Sequence, residues 1–93
     1  MNLDKVFTKH EDSAHGWLEV SFEDLIDLNI HNKISNFSYI DSNKNLIYLE
    51  EDVDMVLFLK SYKEKYNKGL AYVIENNFEI HPIRELASYI QVI

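Results

Sequence analysis

The segment from Leu46 to Leu59 constrains the fold most, because a strand-like run leads through a group of acids into an apolar helical run. Residues 46–49 have a strand composition, and the aromatic and β-branched residues of 34–40 form a second such run. The polar residues 41–45 between the two runs are typical turn formers. The sequence therefore predicts a β-hairpin that feeds directly into a helix.

The main helix is predicted from about Asp52 to Tyr66. Its acids come first and its lysines last, which matches both ends of the helix dipole. Asn67 and Gly69 predict its end, with Gly69 able to take the left-handed conformation. The apolar residues that recur at helical spacing are Met55, Leu59, Tyr62 and Tyr66.

A short helix of about two turns is predicted after Ser21, which is followed three residues later by Asp24 in a near capping box. Asn29 is the expected stop. The helical spacing places Phe22, Leu25 and Ile26 on an inner face and Glu23, Asp24 and Asp27 on an outer one.

Shorter signals complete the sheet. Val6–Thr8 is predicted as a short edge strand, and Trp17–Val20 as another strand after a polar loop, residues 10–16. A second hairpin is predicted from residues 70–75 and 78–81 around the turn Asn76-Asn77. Pro82 favours a helical turn, and residues 89–93 are apolar enough to pack back or to form a last strand.

Together these elements predict an α+β fold in a single small domain covering residues 1–93. The expected architecture is an antiparallel sheet built from two hairpins, with one main amphipathic helix and one short helix. The chain has 93 residues, 46% of them hydrophobic and 27% charged, which suits one hydrophobic core and is too short for two.

Composition also excludes several kinds of chemistry. The absence of Cys excludes disulfides, thiolate catalysis and cysteine-ligated zinc. A formal net charge of −7 disfavours direct binding to nucleic acid or to an anionic membrane. The sequence has no apolar stretch of the roughly 18 residues needed to span a bilayer, so we expect a cytoplasmic protein.

The acids Glu50, Glu51, Asp52 and Asp54 raise the alternative of a site for a hard cation such as Mg²⁺ or Ca²⁺. Their spacing does not fit an EF-hand loop, which alternates its ligands around a central glycine. Solvated charge at the start of a helix explains the same residues with fewer assumptions. We therefore predict neither a metal nor a cofactor.

Catalytic motifs are also missing. His10 and His15 are spaced five apart in an expected loop, whereas a zincin helix needs its histidines four apart. The sequence contains neither a nucleophile-elbow pattern nor a glycine-rich phosphate loop. Arg84, the single arginine, is expected to pair with an acid of the chain, and Gly16 to permit the turn that brings Trp17 into the core. The predicted function is non-enzymatic.

The acids of the short helix and of the hairpin end are candidates for an acidic face that binds a basic protein or imitates a phosphate backbone. The partner of such a face would be a protein with a basic or nucleic-acid-binding surface. The candidate partner-binding residues are Glu19, Glu23, Asp24, Asp27, Glu50, Glu51, Asp52 and Asp54.

Three motifs of the chain, HGWLEV at residues 15–20, YLEEDVD at residues 48–54 and PIR at residues 82–84, resemble a family of small uncharacterised proteins from bacteria, prophages and mobile elements. This resemblance implies a phage or mobile-element inhibitor that binds a host defence protein, of the anti-CRISPR or anti-restriction type. The alternative is a small interaction or regulatory module that acts as a homodimer through an edge strand or exposed tyrosines.

Overall fold

The computed structural model describes residues 4–77 and 82–89, and in this part it contains six strands, two α-helices and a 3₁₀ turn. The strands are β1 (Phe7–Glu11), β2 (Gly16–Ser21), β3 (Tyr39–Asp41), β4 (Leu46–Glu50), β5 (Tyr72–Asn76) and β6 (Ala87–Ser88). The helices are α1 (Phe22–Asp27) and α2 (Asp54–Tyr66), and the 3₁₀ turn is Pro82–Glu85.

The strands form one sheet in the order β5-β1-β2-β4-β3-β6. Every neighbouring pair is antiparallel except β1 and β5, which run parallel, with Phe7 opposite Tyr72 and Glu11 opposite Asn76. These directions make β4 and β5 parallel to each other, so the chain must cross the sheet between them, and α2 provides that crossover.

The predicted α+β class is confirmed, with a sheet that is mostly antiparallel. The hairpin preceding the main helix is present as β3 and β4, although β3 begins only at Tyr39. The predicted return strand at 78–81 lies outside the described residues. Its expected partner, residues 70–75, contributes β5, which pairs with β1.

The N-terminal part forms a further hairpin from β1 and β2. The expected loop of residues 10–16 is shorter than predicted, because His10 and Glu11 extend β1 and pair with Trp17 and Gly16. The strand predicted at Val6–Thr8 is present as the start of β1, but its predicted position at the edge of the sheet is wrong, since β1 lies between β5 and β2. Backbone hydrogen bonds to β2 and to β5 stabilise β1 as a strand as far as His10 and Glu11, although polar side chains there favour a loop.

The larger core lies between the sheet and the helices. Phe58 and Tyr62 of α2 pack with Phe7 of β1 at ring-centroid distances of 5.6 and 6.3 Å. Alternate residues of β2 and β4, together with Leu25 and buried isoleucines of the connection after α1, complete it. The opposite face of the sheet holds a smaller cluster of Trp17, Tyr48 and Ile83, with Tyr39, Leu46 and Leu86 packed against it.

Helix α1 begins at the predicted capping box. The Asp24 backbone N–H donates to the Ser21 hydroxyl at 3.1 Å, and the Ser21 N–H donates to the Asp24 carboxylate at 3.0 Å. Asn29, in the left-handed conformation at φ 57°, follows the end of the helix. The predicted faces are wrong at two positions, because Asp24 is buried by its capping bonds whereas Ile26 is exposed.

Helix α2 begins at Asp54, after Val53, which contributes no side-chain cap. It ends at Tyr66 and is capped by Asn67, whose φ of 55° places this residue, and not the expected Gly69, in the left-handed region. The Asn67 backbone N–H donates to the Lys63 carbonyl at 2.8 Å, which satisfies one of the last free carbonyls. Within 4–77 and 82–89, neither helix has the length and apolar character that a bilayer crossing requires.

Candidate functional site

A surface pocket of about 350 Å³ opens at the end of the sheet where β2 begins and β4 ends. Trp17 of β2 and Glu50 of β4 are opposite each other in the strand register at this end. We call this site the aromatic pocket. Its lining residues are His15, Trp17, Phe37, Tyr39, Glu50, Asp52, Val53 and Arg84.

Trp17 is the most deeply buried of the lining side chains, with 2% of its surface exposed. The imidazole of His15 stacks on its indole at 6.0 Å with an interplanar angle of 22°. Tyr39 meets the indole edge-on at 6.4 Å, and the Arg84 guanidinium carbon lies 5.7 Å from the ring centroid. These contacts hold the indole in one orientation beneath the pocket.

Arg84 is held by an ion pair inside the chain, as the sequence predicts. Its Nε and Nη2 donate to the two carboxylate oxygens of Asp12 at 3.0 and 3.1 Å, and the Asp12 side chain is completely buried. Arg84 Nη2 also donates to His15 Nδ1 at 2.6 Å, since a guanidinium cannot accept. The same Asp12 carboxylate accepts from the backbone N–H groups of Ala14 and His15 at 2.9 and 2.8 Å.

One wall of the pocket is formed by apolar side chains that are exposed to solvent. Phe37 is 65% exposed and Val53 is 50% exposed, and both line the pocket. Phe37 belongs to the connection between α1 and β3, and its backbone N–H donates to the Ser35 hydroxyl at 3.2 Å. The bonds of Ser35 and Ser38 to Asp54 attach this connection to the start of α2 and so bring Phe37 beside Val53.

Glu50 and Asp52 supply the acidic part of the pocket lining. The Glu50 carboxylate accepts from the backbone N–H groups of Asp52 and Val53, each at 3.0 Å, so its position is fixed by the turn before α2. Asp52 is exposed, and its carboxylate has no partner among residues 4–77 and 82–89. The pocket therefore presents one restrained and one free negative charge.

Asp54 does not belong to an exposed acidic face. Its side chain is 1% exposed and accepts from the Ser35 backbone N–H at 3.0 Å, the Ser35 hydroxyl at 2.7 Å and the Ser38 hydroxyl. The interpretation of Asp54 as solvated helix-start charge is wrong, because this carboxylate replaces water with donors from the connection before β3.

The acids of α1 lie at the other end of β2 and bind groups of the same chain. Asp24 pairs with Lys5 at 2.8 Å, and Glu23 accepts from the Asn45 side-chain amide at 2.8 Å. Asp27 accepts from the Tyr66 hydroxyl and pairs with Lys65 at 3.1 Å. The Tyr66 hydrogen bond, supported by Lys65, lowers the pKa of Asp27 below its ordinary value.

Glu51 pairs with Lys9, a buried lysine that also pairs with Glu11 at 2.7 Å. Burial by itself would lower the pKa of Lys9, but the hydrogen bonds and charges of Glu11 and Glu51 outweigh it and raise this pKa above 10.5. Gly16 lies directly beneath this pair, since a Cβ at Gly16 would come within 3.0 Å of Lys9 Cε and 3.3 Å of Glu51 Cδ.

Glu19 projects from the middle of β2 and binds His10 Nε2 at 3.0 Å. The eight predicted partner-binding acids thus do not form one continuous face. They divide between the two ends of β2, with Glu19 between them, and two are buried. Of the eight, the aromatic pocket brings together only Glu50 and Asp52.

Sequence reasoning missed the aromatic pocket, because its residues come from separate parts of the chain. Phe37 and Tyr39 carried no signal beyond a strand-like composition. One available signal was the grouping of the HGWLEV, YLEEDVD and PIR motifs, which contribute His15, Trp17, Glu50, Asp52, Val53 and Arg84 to the same pocket.

Among residues 4–77 and 82–89, there is no group of three or more His, Asp or Glu side chains that could together hold a metal ion. The lining can instead combine apolar contact with recognition of positive charge, because aromatic and aliphatic walls lie beside two carboxylates. Comparison with protein-family models, with curated proteins and with solved structures finds no match for this chain.

Proposed function

We propose that this protein is a non-enzymatic binding protein that docks a partner protein onto the aromatic pocket. The observation that carries the proposal is the pocket itself, about 350 Å³ in volume, with the exposed side chains of Phe37 and Val53 in its wall. An exposed apolar area rimmed by polar groups is typical of an interaction surface. Keeping such large apolar groups in water is unfavourable for the free protein, and a partner that covers them removes that cost.

Electrostatics favours a basic partner. The formal net charge is −7, and two of the acids that contribute to it, Glu50 and Asp52, line the pocket, whereas the charge of Arg84 is balanced by buried Asp12. Complementary charge accelerates association and disfavours acidic competitors more than it adds affinity. We expect the association rate to fall as salt is added.

The resemblance to mobile-element proteins suggests one specific form of this proposal, an inhibitor that covers a basic surface of a host defence protein. In that form the contact is made by the aromatic pocket and its two acids. Imitation of a phosphate backbone by all eight acids receives little support, because most of them are bound within the chain.

The proposal is tested by affinity capture from a host lysate with three forms of the protein: wild type, Phe37→Ser, and Val73→Ser. Phe37 and Val73 are both apolar and exposed, but only Phe37 lines the pocket. We expect a specific protein to be retained by wild type and by Val73→Ser and to be lost with Phe37→Ser.

The captured partner is then titrated against the purified protein at low and high salt. Loss of binding in Phe37→Ser while its unfolding transition matches that of wild type supports docking at the pocket. A partner retained equally by Phe37→Ser and wild type contradicts it.

A second candidate function, a homodimeric module, is favoured by β5. Three consecutive apolar side chains of this strand, Tyr72, Val73 and Ile74, are all exposed, although the strand belongs to the sheet. Light scattering over a range of protein concentrations tests this candidate. A concentration-dependent dimer that Val73→Lys abolishes supports it, and a monomer at every concentration rejects it.

A further inference from the structure

We infer that the aromatic pocket takes a lysine or arginine side chain of the partner, with the aliphatic stem on Phe37 and Val53 and the charged head beside Asp52 and Glu50. This inference rests on the proposed docking function and specifies the chemistry of what enters the pocket. It stands on the volume of the pocket, the nature of its walls and the distribution of charge around it.

The walls match the amphipathic character of such a side chain. Lysine and arginine place three or four methylene groups on apolar surface and keep their charged heads near water or acids. In this pocket the apolar side chains and the carboxylates come from adjacent positions, since Val53 directly follows Asp52 in the chain. One extended side chain can therefore contact both kinds of group.

The charge around the pocket selects a cation despite the presence of Arg84. The Arg84 guanidinium is bound through two nitrogens to the fully buried carboxylate of Asp12 and lies over Trp17, so its charge is compensated inside the protein. Within the described residues, the Glu50 carboxylate receives only backbone N–H donors, and the Asp52 carboxylate has no partner. The lining thus holds two negative charges that no cation of the described part of the chain balances.

Other occupants fit less well. An acidic side chain would face Glu50 and Asp52, and Arg84 could receive it only in competition with Asp12. A purely apolar side chain would cover Phe37 and Val53, but it would draw the two carboxylates away from water without supplying a charge. A lysine or arginine side chain meets both requirements, because its stem covers the apolar wall and its head satisfies the acids.

The test uses short peptides blocked at both ends, Ac-Gly-Xaa-Gly-NH₂, where Xaa is lysine, arginine, norleucine or glutamate. Norleucine is the matched control, because it keeps an aliphatic chain and lacks the charge. Binding is followed by NMR through the backbone amide signals of Phe37 and Val53. We expect saturable shifts for lysine and arginine, and binding of norleucine about three- to tenfold weaker at low salt.

Two charge variants complete the test. Asp52→Asn should weaken the lysine peptide about threefold and leave norleucine unchanged. Glu64→Gln, which removes one charge from an exposed position near the C-terminal end of α2, should leave both peptides unchanged.

The inference is overturned if the norleucine and lysine peptides bind equally well or if the glutamate peptide binds best. It is also overturned if no peptide shifts the amide signals at about 10 mM. The docking proposal fails separately. It fails if Phe37→Ser captures the partner as well as wild type does. If capture depends on Phe37 but persists after the partner's lysines and arginines are neutralised, only the inference of a cationic side chain in the pocket is rejected.

Discussion

Replacing Asp54 with alanine should destabilise the protein severely, although the sequence predicts that this acid is exposed to solvent. The carboxylate is 1% exposed and accepts from the Ser35 backbone N–H, the Ser35 hydroxyl and the Ser38 hydroxyl. Ser38 is completely buried, and its oxygen would keep the bond from the Glu50 N–H, but its O–H would lose its acceptor at a cost of about 1–3 kcal/mol, whereas half-buried Ser35 regains some water.

We expect Asp54→Ala to lower the free energy of unfolding by about 2–3 kcal/mol. The loss stays below the roughly 3–5 kcal/mol seen when one member of a buried ion pair is removed, because the groups left behind are neutral. For a domain of this size the loss corresponds to a decrease in Tm of roughly 8–24 °C.

The assay is urea unfolding of purified wild type, Asp54→Ala and Asp52→Ala, followed by the fluorescence of the single tryptophan. Asp52 is the matched control, an exposed acid two residues away whose loss should change stability by less than about 0.5 kcal/mol. If the two variants lose equal stability, or if Asp54→Ala unfolds like wild type, then the buried network does not anchor the connection before β3.

Two further predictions concern Gly16 and Asp27. Gly16→Ala should lower the free energy of unfolding by about 1–3 kcal/mol, because the added Cβ crowds Lys9. Gly69 has open space around it, so Gly69→Ala should be neutral or slightly stabilising in the same unfolding assay. Equal effects of the two substitutions would contradict the close approach at Gly16. The Tyr66 hydrogen bond lowers the pKa of Asp27 from 3.8, so its stabilising effect is complete above that value and is lost as pH falls through the lower folded-state value. Asp27→Asn should therefore be less stable than wild type at about pH 6 and approach it at about pH 2, and a difference independent of pH would refute this assignment.

Local sequence signals predicted much of the fold. The capping box of Ser21 and Asp24, the hairpin before α2 and the 3₁₀ turn after Pro82 each depend on neighbouring residues, and all three are present. The parallel pairing of β1 with β5 could not be predicted in this way, because it joins residues from distant parts of the chain that have no shared local pattern.

The site was less predictable for a related reason. Periodicity and helix-dipole arguments assign Asp52 and Asp54 the same role, yet Asp52 is exposed in the pocket lining and Asp54 is buried. The difference arises from Ser35 and Ser38, which approach from another segment and supply donors to Asp54 alone. Burial of a particular acid depends on these tertiary donors and not on its position in a local motif.

The exposure of β5 has a consequence for the cooperativity of the sheet. Every residue of this strand is exposed, so detaching it from β1 breaks backbone hydrogen bonds while uncovering little additional apolar surface. The parallel register directs the backbone amides of Val73 and Glu75 toward β1, and these amides should therefore exchange with solvent through local opening. Those of Leu18 and Leu49, whose side chains are fully buried in the central strands, should exchange only through global unfolding. The central strands β2 and β4 then unfold only with the whole domain, whereas β5 opens separately.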